Sequence, residues 1–352
     1  MTYRRNAAKQ YVRKPIHGAL LRSAVNPSIA SARDRAVQSN ISGLALFLAK
    51  FLSGKGNIVV STDPYSPGYG VSRMEHEGHP TRYNITVPEW STYNLPLDDR
   101  DKYRIYRDGV WHEAMHTKHT PEGIFKFGVG HDTGGNEILA DPLEHDVINI
   151  IEDRRIEDLG VKEWHGYVPE RLFSNAFAWS RRMDVGEFWK TYLKQDFDEA
   201  KGEYTLDTDY IKTRKAHMRH EAFLQRLLVG RIKGGRELPQ LERNKIEDEV
   251  DLAERLLNKL EKEDETLTDK LGQLTRKVIK DLEMQYYQPK ITKFGESSWD
   301  QTFKPHPQDD KQETKAGIDD YFDEIMTIEV VCTKCGKHYA KKLGVREDEE
   351  HG

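Results

Sequence analysis

The sequence predicts an α+β fold that is mainly helical, with a small mixed or antiparallel sheet laid against long helices. Three observations carry this. Asn57–Ser61 and Tyr83–Pro88 read as short strands, the second alternating apolar and polar residues as a half-buried strand does. From about Asp98 the pattern turns helical and stays so over most of the chain. Between 241 and 290, 23 of 50 residues are charged, and apolar residues recur at alternating four- and three-residue steps.

The elements follow in order. Residues 1–40 hold eight Lys/Arg and a single acid, Asp34, and read as a basic helical arm. Residues 40–53 are the most apolar stretch and predict a buried helix. The Asn57 strand is followed by DPYSPGYG, which is turn material. Pro88 ends the second strand or marks a sheet edge. Gly123–Gly135 is a glycine-rich loop, either a connector or a mobile lid over a site. Asp141-Pro142 starts a helix that runs to about Leu159, where Gly160 offers a stop. More amphipathic helix fills 167–232. In the charged region, Ile246, Val250, Ala253, Leu257, Leu260, Leu267, Leu271, Leu274 and Val278 form a coiled-coil seam, with Asp264 at the one skipped place. That seam serves either as an oligomer or partner interface, or as a helical arm packed on its own domain. Residues 291–318 look like a linker. The domains expected are therefore 1–40, 41–238, 239–290, a linker at 291–326, and a tail at 327–352.

Composition excludes several classes. The 352 residues carry 54 Lys+Arg against 59 Asp+Glu, a near-neutral balance that argues against a dedicated nucleic-acid coat. No apolar run approaches the roughly 20 residues that span a bilayer. The N-terminal stretch MTYRRNAAKQYVRKP lacks the apolar segment of a secretory signal. Cys332 and Cys335 are the only cysteines, which fits a reducing, cytoplasmic setting and excludes a disulfide scaffold.

The chemistry sits in Trp-His-Glu-Ala-Met-His-Thr-Lys-His at 111–119. His112, Glu113 and His116 form H-E-x-x-H. On a helix, residues four apart are offset by only about 40° around the axis, so both imidazoles face one point and can share a zinc ion. Glu113 lies about 100° from His112, toward the open side of such an ion. It is the candidate general base, taking a proton from water and delivering it to a leaving amine. In the zincin architecture an edge strand beside such a helix holds extended substrate, and Ile85-Thr86-Val87 is the candidate. The bland alternative is a surface helix whose histidines only cap and solvate.

A catalytic zinc needs a third protein ligand. His119 shares the face of His112 and His116, but the three would form a row along the helix. Glu122 stands where an extended H-E-x-x-H-x-x-G-x-x-H pattern has its third ligand, yet His119 replaces the glycine and Pro121 precedes Glu122. Glu152, on the second helix in Asn149-Ile-Ile-Glu-Asp-Arg-Arg-Ile-Glu157, gives the His₂Glu arrangement and is the preferred reading. His145, Asn149, Glu152 and Arg155 then share one helix face. Asn149 or Asp153 is placed to orient a ligating imidazole. Arg155 or His145 is placed to stabilise a developing oxyanion. Intrahelical pairing of Asp153, Arg154, Arg155 and Glu157 is the alternative for each of those residues.

The succession ITVPEW, HEAMH and NIIEDRRIE resembles the metallopeptidase region that precedes von Willebrand A domains in cobaltochelatase-T-like and nitric-oxide-reductase-accessory proteins, and in stand-alone phage and prokaryotic relatives. The resemblance covers about residues 55–160, and at its widest runs to 235. It implies a gluzincin-like zinc site with His112, His116 and Glu152 as ligands, Glu113 as base, and Asp153, Arg155 and Glu157 in support. No D-x-S-x-S motif follows, so the roles of the full-length relatives with ring ATPases do not carry over.

The tail, Val331-Cys-Thr-Lys-Cys-Gly-Lys-His-Tyr339, reads as half a zinc ribbon, with Cys332 and Cys335 as candidate ligands for a second zinc. It is similar to the tail of SprT-like DNA-associated proteases, which carry a complete ribbon and lack the NIIEDRRIE segment. The function expected is zinc-dependent hydrolysis of polypeptide. The alternatives are a zinc-stabilised adaptor that recruits a partner through 241–290, and a nucleic-acid-associated protease.

Overall fold

A three-stranded mixed sheet and ten helices make up most of the described part of the protein. The computed structural model describes residues 41–63, 68–74, 79–135, 137–260, 266–291, 297–325, 327–331 and 338–342. The basic arm at 1–40, Cys332 and Cys335 lie outside the described residues. Helix α1 spans 41–53. Among the described residues only one side of it is covered: Ala45, Ala49 and Leu52 are buried, while Phe47 and Phe51 are exposed. The apolar stretch thus predicts the helix correctly and overstates its burial.

The sheet comprises β1 (Ile58–Asp63), β2 (Gly70–Met74) and β3 (Arg82–Pro88). Its order is β1-β3-β2, with β3 parallel to β1 and antiparallel to β2. The strand containing Ile85-Thr86-Val87 is therefore central, and its expected place at the edge is corrected. Ile85 and Val87 are fully buried, as suits a strand with neighbours on both sides. The edge beside the long helix belongs to β2, which begins where the sequence reads as turn.

Helix α2 (Asp99–His119) carries the H-E-x-x-H motif. Asp98 caps it, its side chain accepting from the Asp101 amide at 2.9 Å. The helix packs on β2, β3 and two later helices. Helix α3 (Glu122–Phe125) and the hairpin of β4 (Val129–His131) and β5 (Glu137–Leu139) follow. The Gly123–Gly135 loop is thus largely structured.

Helix α4 (Pro142–Glu163) starts as expected, with Asp141 as cap and Pro142 in the first turn. It does not stop at Gly160. A Cβ there would lie 2.5 Å from Trp111 Cζ2 and 2.8 Å from Met115 Cγ, so the glycine is where α4 closes on α2. Helices α5 (Val168–Arg181) and α6 (Val185–Tyr192) come next, then the two-residue strands β6 (Phe197–Asp198) and β7 (Glu203–Tyr204). Helix α7 (Asp209–Leu224) widens into a π turn at Gln225–Val229.

Helices α8 (Gln240–Leu257) and α9 (Leu267–Asp281) form the charged region. All nine seam residues, from Ile246 to Val278, are buried in the same core as the sheet and α4. The region packs on α4 and α7, so of the two readings the packed one describes the structure. The expected linker is also corrected. Trp299 is 1% exposed, Asp300–Phe303 is a 3₁₀ turn, and α10 (Lys311–Ile325) lies along α5. Strands β8 (Thr327–Val331) and β9 (His338–Lys342) pair antiparallel on either side of the two cysteines. No described helix is long and apolar enough to cross a membrane.

Candidate metal centre

Helices α2 and α4 bring two imidazoles and a carboxylate to one point. His112 Nε2 and His116 Nε2 are 3.1 Å apart. Asp153 Oδ1 lies 3.1 Å from His116 Nε2 and 3.5 Å from His112 Nε2. A tetrahedral ion with bonds of about 2.0–2.1 Å requires ligand atoms roughly 3.3 Å apart. The triangle therefore fits a zinc-sized ion, and the set of two imidazoles and one carboxylate suits zinc chemically.

The other ring nitrogens fix the tautomers. His112 Nδ1 donates to Glu157 Oε1 at 3.1 Å. His116 Nδ1 donates to Thr120 Oγ1 at 2.9 Å, and Thr120 Oγ1 donates to Glu152 Oε1 at 2.7 Å. With both Nδ1 atoms as donors, Nε2 is the nitrogen that each ring would offer to a cation in exchange for a proton. Burial disfavours a charged His112, but its hydrogen bonds to the Asp153 and Glu157 carboxylates overcome this and hold its pKa well above the usual value. Asp153 shows the converse. Burial pushes its carboxyl up, while His112 and His116 pull it well below the carboxylate range.

The third ligand position thus falls to Asp153, and Glu152 is corrected from ligand to support. Glu152 is fully buried and faces Arg155, which donates from Nε to Oε2 and from Nη2 to Oε1, both at 2.7 Å. Arg155 spends Nη2 a second time on the His119 carbonyl at 2.6 Å. It is a brace between α4 and the end of α2, and the structure does not bring it to the imidazoles as an oxyanion donor. His145 is also apart. Its Nδ1 donates to the Phe127 carbonyl at 2.7 Å, and it sits eight residues, about 12 Å of helix rise, before Asp153. His119 lies 3.4 Å from Glu163, and Glu122 pairs with Lys126 at 2.6 Å and Arg73 at 3.3 Å; neither joins the cluster.

Glu113 is buried beside the triangle and lines a small cavity with His112, Asp108, Tyr69, Trp299 and Asp300. Burial raises its pKa to about 7; the His112 charge opposes this and the Asp153 charge adds to it. Gly109, one turn before Glu113, leaves room for Tyr69, whose ring would lie 2.5 Å from any Cβ there. Arg171, reaching in from α5, donates to Asp108 Oδ2 at 3.1 Å and to Glu157. Asp300, from the segment read as a linker, is raised to about 8 by burial, with the Asp153 and Glu113 charges adding. Six carboxyl groups (Asp108, Glu113, Glu152, Asp153, Glu157 and Asp300) thus surround the site, against the guanidiniums of Arg155 and Arg171. A cation held there would favour the ionised forms of Glu113 and Asp300, which burial otherwise raises to about 7 and 8.

The sequence gives little sign of several contributors, Thr120 among them. Asp153 reads there as support, although its i,i+4 partner Glu157 repeats the spacing of His112 and His116. Arg171 and Asp300 carry no local signal, since their roles arise from chain segments distant in sequence. Compared with family models, curated proteins and solved structures, the chain matches none.

Proposed function

We propose that this chain is a zinc-dependent hydrolase of peptide bonds. The observation that carries the reading is the His112–His116–Asp153 triangle with Glu113 buried at its side. Zinc, when bound, supplies Lewis-acid polarisation of a carbonyl and makes a water acidic near neutral pH. The chain's own residues do the rest. Glu113 accepts a proton from the attacking water and returns it to the departing amine nitrogen. Glu157 and Thr120 hold the two imidazoles in place. Burial keeps the Tyr69 hydroxyl protonated, making it a donor in the cavity where a developing oxyanion needs one. Strand β2 pairs with β3 on one side, and its outer edge supports antiparallel addition of an extended substrate.

Elemental analysis and an unfolded protein such as casein test the reading. Wild type is expected to hold one zinc and cut casein at a slow but measurable rate; Glu113→Gln keeps the zinc and loses that cleavage. Iron in place of zinc, or zinc without cleavage under any condition, refutes it. A second reading, a zinc-stabilised non-catalytic module, is favoured by Trp299 and Asp300 closing over Glu113. Under it, zinc removal lowers thermal stability and Glu113→Gln changes no activity.

A further inference from the structure

The cavity beside Glu113 is small and walled by Tyr69, Ile105, Trp299 and Phe303. It admits water and no peptide. The stopper is residues 297–303. Trp299, 1% exposed, forms the cavity wall facing Ile105, Gly109 and Glu113, with its ring 5.9 Å from the Arg171 guanidinium and 5.5 Å from Phe303.

Polar fastenings hold both ends. Ser297 Oγ lies 3.4 Å from Asp153 Oδ2, so the segment touches the carboxylate of the metal triangle itself. Ser298 donates its amide to Asp146 Oδ1 at 2.5 Å and its hydroxyl to Oδ2, and Asp146 also accepts from His220 at 2.9 Å. At the far end, Arg181 and Arg182 donate to the Thr302 carbonyl at 2.7 Å and its hydroxyl at 2.9 Å. Asp146 and Asp153 stand seven residues apart on one face of α4, so a single helix carries both the triangle's carboxylate and a clasp for the segment.

We propose that residues 297–303 are an autoinhibitory strap seated in the substrate cleft, so that the protein folds in a latent state and the strap must lift before a polypeptide reaches Glu113. This rests on the hydrolase reading for its consequence, though the strap's seating is independent of it. Trp299 has helical backbone angles and Asp300–Phe303 is a 3₁₀ turn, so the strap is not the extended chain that an edge strand accepts. It therefore fills the cleft without presenting its own peptide bonds for cutting. Besides the buried rings of Trp299 and Phe303, its fastenings are hydrogen bonds, which exchange for water when it lifts, while α4 beneath stays packed.

Two experiments on the full chain test this. In wild type, hydrogen exchange is followed for peptides covering 297–303 and 147–156. The strap is expected to exchange at least tenfold faster than α4; equal protection means that it opens only with global unfolding and overturns the proposal. In the second, the zinc-loaded Ser298→Ala/Thr302→Ala double variant, which leaves the triangle and Glu113 intact, is compared with wild type. Zinc transfer to a chromogenic chelator and casein cleavage are both expected to accelerate tenfold or more. Faster zinc transfer without cleavage upholds the strap and refutes the hydrolase reading. Unchanged zinc transfer in a folded variant refutes the strap.

Discussion

Asp153→Asn and Glu152→Gln exchange one atom each in adjacent residues, and the structure assigns them opposite outcomes. Asp153 Oδ1 is within 3.5 Å of both Nε2 atoms, so the amide removes a charged ligand. Loss of a supporting contact alone typically costs 10–100-fold in metal affinity, so loss of the ligand is expected to cost more than about 100-fold. That corresponds to roughly 3 kcal/mol of zinc-linked stability. Glu152 touches no imidazole. Its amide still accepts from Thr120, but Arg155, 2% exposed, is left as a buried charge without its partner. Breaking such a pair costs about 3–5 kcal/mol, or a fall in Tm on the order of 10 °C. The assay is elemental analysis after dialysis against a weak chelator, paired with thermal melts with and without zinc. Asp153→Asn should lose zinc and the zinc-dependent part of its Tm. Glu152→Gln should keep zinc and melt early in both conditions. Zinc lost from Glu152→Gln and retained by Asp153→Asn refutes the assignment.

Three further outcomes follow from the same geometry. Gly160→Ala drives a methyl into Trp111 and Met115, both fully buried, and should cost about 1–3 kcal/mol in melts while weakening zinc binding by moving α4 off α2. Thr120→Val cuts the relay from His116 to Glu152 and should lower zinc affinity about tenfold in competition with a chelator, with the fold retained; unchanged affinity removes Thr120 from the site. Away from the centre, burial pushes Glu283 up, but Lys215 at 2.6 Å, Arg219 at 3.0 Å and Lys245 at 3.1 Å hold its pKa at about 2. Its folded pKa is below the unfolded value of 4.5, so its stabilisation is complete above about pH 4.5 and lost as pH falls toward 2. With its side chain 39% exposed, screening limits this to about 1 kcal/mol, which Glu283→Gln should remove at pH 7 and not at pH 2 in urea titrations.

The sequence by itself determined whatever depends on neighbours within one or two helical turns. The i,i+4 spacing of His112 and His116 placed both imidazoles on one face, and the structure brings their Nε2 atoms to 3.1 Å. Asp141-Pro142 marked the start of α4, and strands were legible at 57–61 and 83–88. What tertiary structure decided was facing and neighbourhood. Helix α4 is buried on almost every side, with Glu152 and Asp153 both inaccessible, so the polar face of His145, Asn149, Glu152 and Arg155 does not mark which side meets α2. A rotation of about 100° separates the expected ligand from the placed one, and it is fixed by Gly160 against Trp111 and by Arg155 against the end of α2. Ile85-Thr86-Val87 was legible as strand, but whether it is central or edge depends on pairing with chain on either side. The 297–303 segment reads as a linker, and nothing local shows that it packs, because its partners Asp146, Arg181 and Arg182 lie more than 100 residues away in sequence. Local spacing sets which side chains can act together; only packing sets which of them meet.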